Sequence, residues 1–306
     1  TFPEALSKVG NNYIDVAMMT MVGESGRTGK WLGESLEILN KYKTKGEISC
    51  IAASVHDVHK AKDLVSSGGI DALMIAVNLT QHADPAYQEL YQLCSERGVG
   101  IIAMKPYSAG LLLKVDGEST SLSPVQALDY VLAQPVSTVV PGVRNADELR
   151  AALQYYSTRK ENKDYRRVLE TVIKEIAGHC VYCNHCLPCS EGINITSVIS
   201  MVNWAYWGLQ DWLEGMYAGQ EVKPSACVGK GDCLEHCKFE VDILGKMRHA
   251  EAVFEHSLWE KLDEEDLFRM ANELKLELPD DMAKANLIEN IRKVDSQKLY
   301  NRLGMI

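Results

Sequence analysis

Cysteine is concentrated in one stretch of this sequence. Seven of the nine cysteines lie between positions 180 and 237, four of them at every third residue and three after a gap. They are Cys180, Cys183, Cys186, Cys189, Cys227, Cys233 and Cys237. Thiolates three residues apart on an irregular backbone can point at one centre, and this run is denser than the paired C-x2-C motifs typical of tetrahedral zinc. The spacing therefore predicts a site for iron and inorganic sulfide.

The second cysteine group departs from the spacing of a bacterial ferredoxin run, C-x2-C-x2-C-x3-C-P. Lys230 takes the place of the second cysteine, and Lys238 takes the place of the closing proline. In such runs the fourth cysteine ligates the other cluster. The rule predicts one complete 4Fe-4S site from Cys180, Cys183, Cys186 and Cys237, and a second site from Cys189, Cys227 and Cys233. The second site is one ligand short, which leaves open a 3Fe-4S cluster, a four-iron cluster with a non-cysteine ligand, or an empty site.

Zinc binding and disulfide bonds are the alternative uses of these cysteines. Disulfides are disfavoured by the odd cysteine count and by a start, TFPEALSKVG, that is not a secretory signal. The net charge of -10 argues against nucleic acid and anionic membranes as partners, and no apolar run is long enough to span a bilayer. We expect a reducing, oxygen-poor cytoplasm and protein redox partners or complex subunits. A targeting segment upstream of Thr1 is left open.

Residues 1–155 alternate short apolar runs with amphipathic segments, which is the pattern of parallel strands joined by helices. Five βα units are visible. Their predicted strands are Ile14–Thr20, Ile48–Ser54, Ala72–Val77, Gly100–Met104 and Thr138–Val140.

These units resemble the fourth to eighth strands of the aldo-keto reductase barrel. The segments that carry the resemblance are, in order, IDVAMMT, KGEISCIAASVHD, GGIDALMIAVN, GVGIIAMKPYSAGLL and VSTVVPGVRNADEL. One variant of that family has a C-terminal ferredoxin-like domain introduced by C-x2-C-x2-C-x2-C-P-x-G. CVYCNHCLPCSEGINI is similar to that motif, except that Ser190 replaces its proline. The resemblance implies an α/β fold, a (β/α)8 TIM-barrel-derived domain followed by a helical ferredoxin-like iron-sulfur domain.

The family's catalytic residues are missing from this chain. The resemblance places the catalytic aspartate, tyrosine and lysine on the first three barrel units, which this sequence lacks, and the catalytic histidine position is occupied by Thr20. Threonine does not titrate near pH 7 as imidazole does. Two explanations compete. In the first, about ninety N-terminal residues of a barrel are absent from this chain. In the second, another polypeptide completes the half-barrel, or the half-barrel no longer carries out reductase chemistry.

Other polar side chains follow the predicted strands, where barrels of this type place their ligand-binding groups. They are Ser54, His56, Asn78, Lys105, Arg144 and Asn145. The resemblance implies that these positions line a nicotinamide pocket or hold the phosphate of NAD(P)H. For His56 the alternative is a helix-capping or buried, hydrogen-bonded role. For Lys105 and Arg144 it is a solvated surface charge.

The rest of the chain is predicted to be helical. An apolar stripe at Leu169, Val172, Ile173 and Ile176 predicts a long helix leading into the cysteines. Trp204, Trp207 and Trp212, at helical spacing, are predicted to be core residues that pack the cluster domain. The tail resembles the helix-loop-helix fold of SAP and Rho N-terminal modules, with Leu267, Met270 and Leu274 facing Leu287, Ile288 and Ile291. We expect it to be a docking module or a stabilising appendage.

The predicted domains are 1–158, an aldo-keto-reductase-like partial barrel; 159–250, a linker helix and the iron-sulfur domain; and 251–306, the small all-α module. The favoured function is an iron-sulfur oxidoreductase of aldo-keto reductase type that passes electrons between a cluster and the barrel mouth, with NAD(P)H. One alternative is a catalytically inactive barrel subunit serving as an electron-transfer or scaffold component of a larger redox complex. Another is an interaction protein built around the tail.

Overall fold

The computed structural model describes residues 12–24, 27–82, 84–205, 211–255, 264–273 and 283–292, together with positions 4, 7, 8, 10 and 276. The chain divides into two compact units, Thr1–Ile176 and Ala177–Ile306. Among the described residues, no helix has both the length and the apolar character needed to cross a bilayer.

The first unit is built on a parallel sheet in which the strands stand side by side in chain order. The strands are β1 (Ile14–Met19), β2 (Ile48–Ser54), β3 (Ala72–Ala76), β4 (Gly100–Met104) and β7 (Thr138–Val140), and a small hairpin contains β5 (Lys114–Val115) and β6 (Glu118–Ser119). Pairing is parallel throughout the large sheet, for example Ile14 opposite Ile48 and Ala72 opposite Gly100. The five predicted strands are confirmed, with β1 and β3 each ending one residue early. This is the curled sheet of a half-barrel in an α/β fold.

Helices connect the strands, as expected for βα units. They are α1 (Gly29–Thr44), α2 (Val58–Ser67), α3 (Pro85–Arg97), α4 (Pro124–Leu132), α5 (Ala146–Leu153), α6 (Lys160–Lys163) and α7 (Leu169–Glu175). Local signals set their ends. The carboxylate of Asp57 accepts hydrogen bonds from the backbone of α2, and Asp84 does the same for α3. Gly98 ends α3 in the left-handed conformation at φ 66°, which glycine adopts without strain.

The core of the first unit lies at the centre of the sheet. Leu73 and Ile75 on β3 and Ala103 on β4 are fully buried, because helices α2 and α3 pack on these strands. The two outer strands differ, since Val16 on β1 and Val140 on β7 are 40% and 48% exposed. The apolar sheet is therefore covered in the middle and open at both edges, as an incomplete barrel requires.

The predicted long linker helix is wrong. Helix α7 spans only Leu169–Glu175, and it follows a short 3-10 turn at Tyr165–Arg167. Val172 and Ile176 are fully buried, so the apolar stripe was identified correctly. It packs within the first unit, which ends at Ile176.

The second unit is helical. Its elements are α8 (Ile195–Ala205), α9 (Asp211–Ala218), α10 (Asp232–Glu235), α11 (Ile243–Phe254), α12 (Glu264–Glu273) and α13 (Lys284–Arg292). Helix α8 packs against α11, and both helices contribute fully buried aliphatic side chains such as Val198 and Val253. The ring of Tyr217 on α9 stacks on that of Phe254 with centroids 4.5 Å apart. The cysteines lie on the irregular segments around this helical core and on the short helix α10.

The prediction of a tryptophan core is also wrong. Trp204 and Trp212 contact one another with ring centroids 5.6 Å apart, but they are 44% and 51% exposed. Trp204 lies on α8 and Trp212 on α9, so the helical spacing did not show that the two rings belong to different helices or whether anything covers them. Trp207 lies outside the described residues.

The tail helices agree with the prediction where they are described. Helices α12 and α13 pack together, with Leu267, Leu287, Ile288 and Ile291 buried. The side chain of Met270 and the whole of Leu274 lie outside the described part of the chain.

Candidate functional site

The first predicted cysteine set lines one cavity in the second unit. Its sulfur-bearing walls are formed by Cys180, Cys183, Cys186 and Cys237, and the other lining residues are Val181, Thr196, Ile199, Phe239, Val241 and Ile243. The cavity measures about 300 Å³ with its open mouth included. Four thiols therefore share a space that is otherwise walled almost entirely by apolar side chains.

Hydrogen bonds hold the backbone of this cysteine loop. The backbone N–H of Gly178 donates to the carbonyl of Phe239 at 2.7 Å, which ties the two cysteine segments together. Asn184 has φ 66°, and its Oδ1 accepts from the hydroxyl of Thr196 on α8 at 2.6 Å. Tyr182, also left-handed at φ 57°, accepts through its hydroxyl from Asn203 at 2.7 Å. Two strained positions are thus fixed by contacts with α8.

Burial raises the pKa of three of these thiols, those of Cys180, Cys183 and Cys186. Burial raises the pKa of Cys180 and of Cys186 to about 12. The charges of Cys180, Cys183 and Cys237 raise the pKa of Cys186 further. A metal centre reverses this, because a coordinated thiol is deprotonated outright. The four thiols are close enough to interact electrostatically, and a cationic centre would relieve their repulsion.

The remaining three cysteines line a second cavity of about 400 Å³, mouth included. They are Cys189, Cys227 and Cys233, and the charged or titratable residues beside them are Glu191, Lys230, Asp232 and His236. Burial raises the pKa of Cys233, and the nearby Cys227 and Cys189 add to the effect. Six of the seven cysteines line one cavity each, in the sets expected from the ferredoxin cross-ligation rule, whereas Cys186 lines both cavities. In the described part of the chain, no three Cys, His, Asp or Glu side chains are already arranged as a metal coordination shell.

In the first unit, four of the predicted pocket residues lie at the carboxyl ends of neighbouring strands. Ser54 ends β2, and its hydroxyl accepts from the backbone N–H of Met21 at 2.9 Å. Asn78 follows β3 and is buried. Its amide donates to the carbonyl of Lys105 at 3.0 Å and its Oδ1 accepts from the N–H and the hydroxyl of Thr80. Asn78 therefore connects the ends of β3 and β4.

An acidic residue that the sequence reasoning missed completes this group. Glu24 Oε1 lies 3.6 Å from His56 Nδ1. The hydrogen bond from His56 lowers the pKa of Glu24 despite its partial burial, and the charges of Lys60 and Lys105 act in the same direction. Since Glu24 lies four residues beyond the strand-end position Thr20, extending the strand-end rule into the β1–α1 loop would have found it.

Lys105 has an unusual backbone and an unusual environment. Its φ is 55°, the left-handed region that a non-glycine residue rarely occupies. Desolvation lowers the pKa of its ammonium, and the charge of Glu24 opposes that shift. Glu24, His56 and Lys105 thus form a group of interacting titratable side chains at the mouth of the half-barrel, which we call the mouth triad.

Thr20, at the position of the catalytic histidine in the family that the chain resembles, is bound by a neighbouring arginine. Arg27 donates through one guanidinium nitrogen to the carbonyl and the hydroxyl of Thr20. The capping alternative for His56 is also excluded, because Asp57 is the N-cap of α2. His56 pairs with Glu24 instead.

Arg144 and Asn145 follow β7, and their side chains bind residues of the next helix, α5. Arg144 forms a two-nitrogen ion pair with Glu148 at 3.0 and 2.8 Å. Asn145 caps α5 by accepting from the backbone N–H groups of Asp147 and Glu148. The contacts described for these two residues join them to α5 rather than to the mouth triad.

Residues 1–126 match the model of the Aldo/keto reductase family. This part of the chain is therefore similar to the aldo/keto reductase family. The match confirms the barrel half of the family resemblance and ends before the first clustered cysteine, so the ferredoxin-like and SAP-like assignments stay predictions. No curated protein matches this sequence.

Several solved structures are similar to the chain. The aldo-keto reductase AKR11C1 from Bacillus halodurans matches in its holo form at 21% identity and TM-score 0.44, covering 56% of this chain and 64% of that one. Its apo form matches at 21% identity and TM-score 0.43, with coverages of 55% and 65%. The aldo-keto reductase AKR2E5 complexed with NADPH matches at 15% identity and TM-score 0.40, with coverages of 55% and 57%. This chain therefore spans less than two thirds of these proteins.

Proposed function

We propose that this protein is an iron-sulfur oxidoreductase of the aldo-keto reductase type. In this proposal, clusters held by the cysteines of the second unit exchange electrons with a site at the barrel mouth that binds NADH or NADPH. The observation that carries the proposal is that all seven clustered cysteines line two cavities of the second unit, with Cys186 lining both. The proposal includes a cytoplasmic setting and a protein redox partner.

The first cavity suits a 4Fe-4S cluster by its donor set. Four thiols are the ligand set of such clusters, and soft sulfur ligands favour them. When bound, the cluster would supply one-electron transfer at a potential set by charge, hydrogen bonds to sulfur and solvent exposure. The protein's own contribution is the apolar wall, including Phe239 and Ile243, which excludes water from the site and so influences that potential.

The mouth triad supports redox chemistry in the first unit. The aldo/keto reductase domain is the reason to propose a nicotinamide cofactor. Glu24 and His56 lie 3.6 Å apart, within the distance of an ion pair, and the less basic Lys105 adds a cation that interacts with Glu24. We assign these three side chains to proton handling and to holding an anionic part of the cofactor or substrate, in place of the histidine that Thr20 replaces.

The test is anaerobic purification of the full chain, followed by addition of NADH or NADPH while the visible absorbance is recorded. The proposal predicts iron and acid-labile sulfide in the protein, and bleaching of the absorbance by one of the two nucleotides. The variant Cys186→Ala should lose colour, whereas Cys94→Ala, which alters a buried thiol of the first unit, should keep it. A protein that contains zinc and no labile sulfide would refute the proposal.

A second function is favoured by one observation. Because Arg27 engages the hydroxyl of Thr20, the barrel could be a catalytically inactive subunit whose clusters relay electrons for a larger redox complex. In that case the protein would contain iron and sulfide, but neither nucleotide would bind or bleach it. The same absorbance experiment therefore separates the two functions.

A further inference from the structure

The second cysteine cavity contains an ion pair. Lys230 Nζ donates to Glu191 Oε1 at 2.7 Å, and both residues line the cavity beside Cys189, Cys227 and Cys233. Cys186 lines this cavity as well as the first one. A carboxylate thus lies in the same space as the three cysteines that line this cavity alone.

The position of Lys230 in the cysteine motif indicates a role for this ion pair. In the run Cys227-x2-Lys230-x2-Cys233, Lys230 stands where a ferredoxin has its second cysteine. An ammonium group has donors but no acceptor and cannot bind a metal. Its hydrogen bond, however, holds the Glu191 carboxylate next to the position that the missing thiolate would have filled.

We propose that Glu191 supplies the fourth ligand to the iron-sulfur cluster bound by Cys189, Cys227 and Cys233, and that Lys230 positions its carboxylate. This inference rests on the proposed function. A carboxylate has the same formal charge as the thiolate it replaces, and it binds iron through oxygen. Thiolate is the softer donor and the better match for a cluster iron. Glu191 would therefore bind one ferrous ion of this cluster, and that ion is released more readily than the irons of the four-cysteine site.

His236 is the competing donor, because its imidazole also lines the second cavity. Two observations favour Glu191. The residue at the vacant cysteine position contacts Glu191 directly. His236 belongs to the stretch just before Cys237, whose thiol lines the first cavity.

The test uses anaerobically purified full-length variants. Iron per chain is measured chemically, and the oxidised protein is examined by electron paramagnetic resonance. Glu191→Ala should contain one iron fewer per chain than wild type and show a three-iron signal when oxidised, while the signal of the four-cysteine site, recorded after reduction with dithionite, stays unchanged. Glu235→Ala removes an exposed carboxylate from the same cysteine segment and should match wild type in both measurements.

A double variant tests whether a cysteine at position 230 can replace Glu191 as the fourth ligand. Glu191→Ala combined with Lys230→Cys recreates the full ferredoxin spacing, so it should regain the lost iron and abolish the three-iron signal. The assignment is overturned if Glu191→Ala keeps the iron content and spectrum of wild type, or if His236→Ala alone loses the iron. Wild-type protein with no iron or sulfide at all would instead overturn the proposed function, and this inference with it.

Discussion

Replacing Asn78 with alanine should destabilise the first unit more than loss of an ordinary helix cap. Asn78 is 2% exposed and makes three side-chain hydrogen bonds. Alanine would leave the buried N–H of Thr80 without its acceptor, at a cost of about 1–3 kcal/mol. It would also remove one of the two bonds to the Lys105 carbonyl, worth about 0.5–1.5 kcal/mol, while the bond from Ser108 N–H would remain. The expected loss is about 2–4 kcal/mol.

Two further variants make this prediction specific. Asn78→Ser keeps an acceptor for Thr80 but cannot reach Lys105, so it should cost only about 1 kcal/mol. Asn145→Ala removes an asparagine cap from an exposed helix end, where water can replace the lost bonds, and should also cost about 1 kcal/mol. Urea denaturation followed by circular dichroism gives the three values. An Asn78→Ala loss no larger than that of Asn145→Ala would refute the reasoning that Asn78 clamps two strand ends.

Three other predictions follow from the first unit. Leu73→Ala should lower the free energy of unfolding by about 2–5 kcal/mol, because the side chain is fully buried, whereas Val16→Ala at the open edge should cost under about 0.5 kcal/mol; urea denaturation measures both. Burial of Asp71 opposes its ionisation, but hydrogen bonds from Lys43 and the backbone of Ile51 outweigh it and lower its pKa below 3.8. The stability that Asp71 adds over Asp71→Asn should therefore be present at pH 7 and fade as pH falls below 3.8, and unchanged differences in urea midpoint between pH 7 and pH 3 would contradict this. Lys105→Met should weaken NADPH binding about tenfold, as expected for one lost charge-assisted contact, and equal affinities by fluorescence titration would remove Lys105 from the site.

The strands could be predicted from the sequence because their signals are local. An apolar run marked each strand, glycine came just before three of the five, and the structure moves two strand ends by one residue. Because catalytic groups of barrels follow strand ends, the positions of Ser54, His56 and Lys105 could be predicted as well. Their partner Glu24 lies four residues beyond Thr20 in the β1–α1 loop, so the rule finds it only when it is extended into that loop.

The cross-ligation rule depends on spacing alone, so the two cysteine sets could be proposed from the sequence and stay a prediction. In the structure six of the seven cysteines line one cavity each, and Cys186 lines both. The ion pair between Glu191 and Lys230 could not be predicted, because it joins residues thirty-nine positions apart in the chain.

Other expectations failed for a physical reason that recurs. The stripe around Val172 correctly identified a helical face, but periodicity does not report the length of the helix. The spacing of Trp204 and Trp212 did not show that they lie on two helices or that both are exposed. Arg144 and Asn145 stand at a strand end and also at a helix start. The structure shows their side chains engaged by that helix.

The most direct test of the central claim is the iron and acid-labile sulfide content of the full chain purified without oxygen, measured for wild type, Cys237→Ala and Cys227→Ala. The account predicts iron and sulfide in similar amounts in wild type. It also predicts that the two variants lose different cluster signals, because their thiols line different cavities. A colourless wild-type protein with zinc and no labile sulfide would contradict the account, as would two variants that lose the same signal.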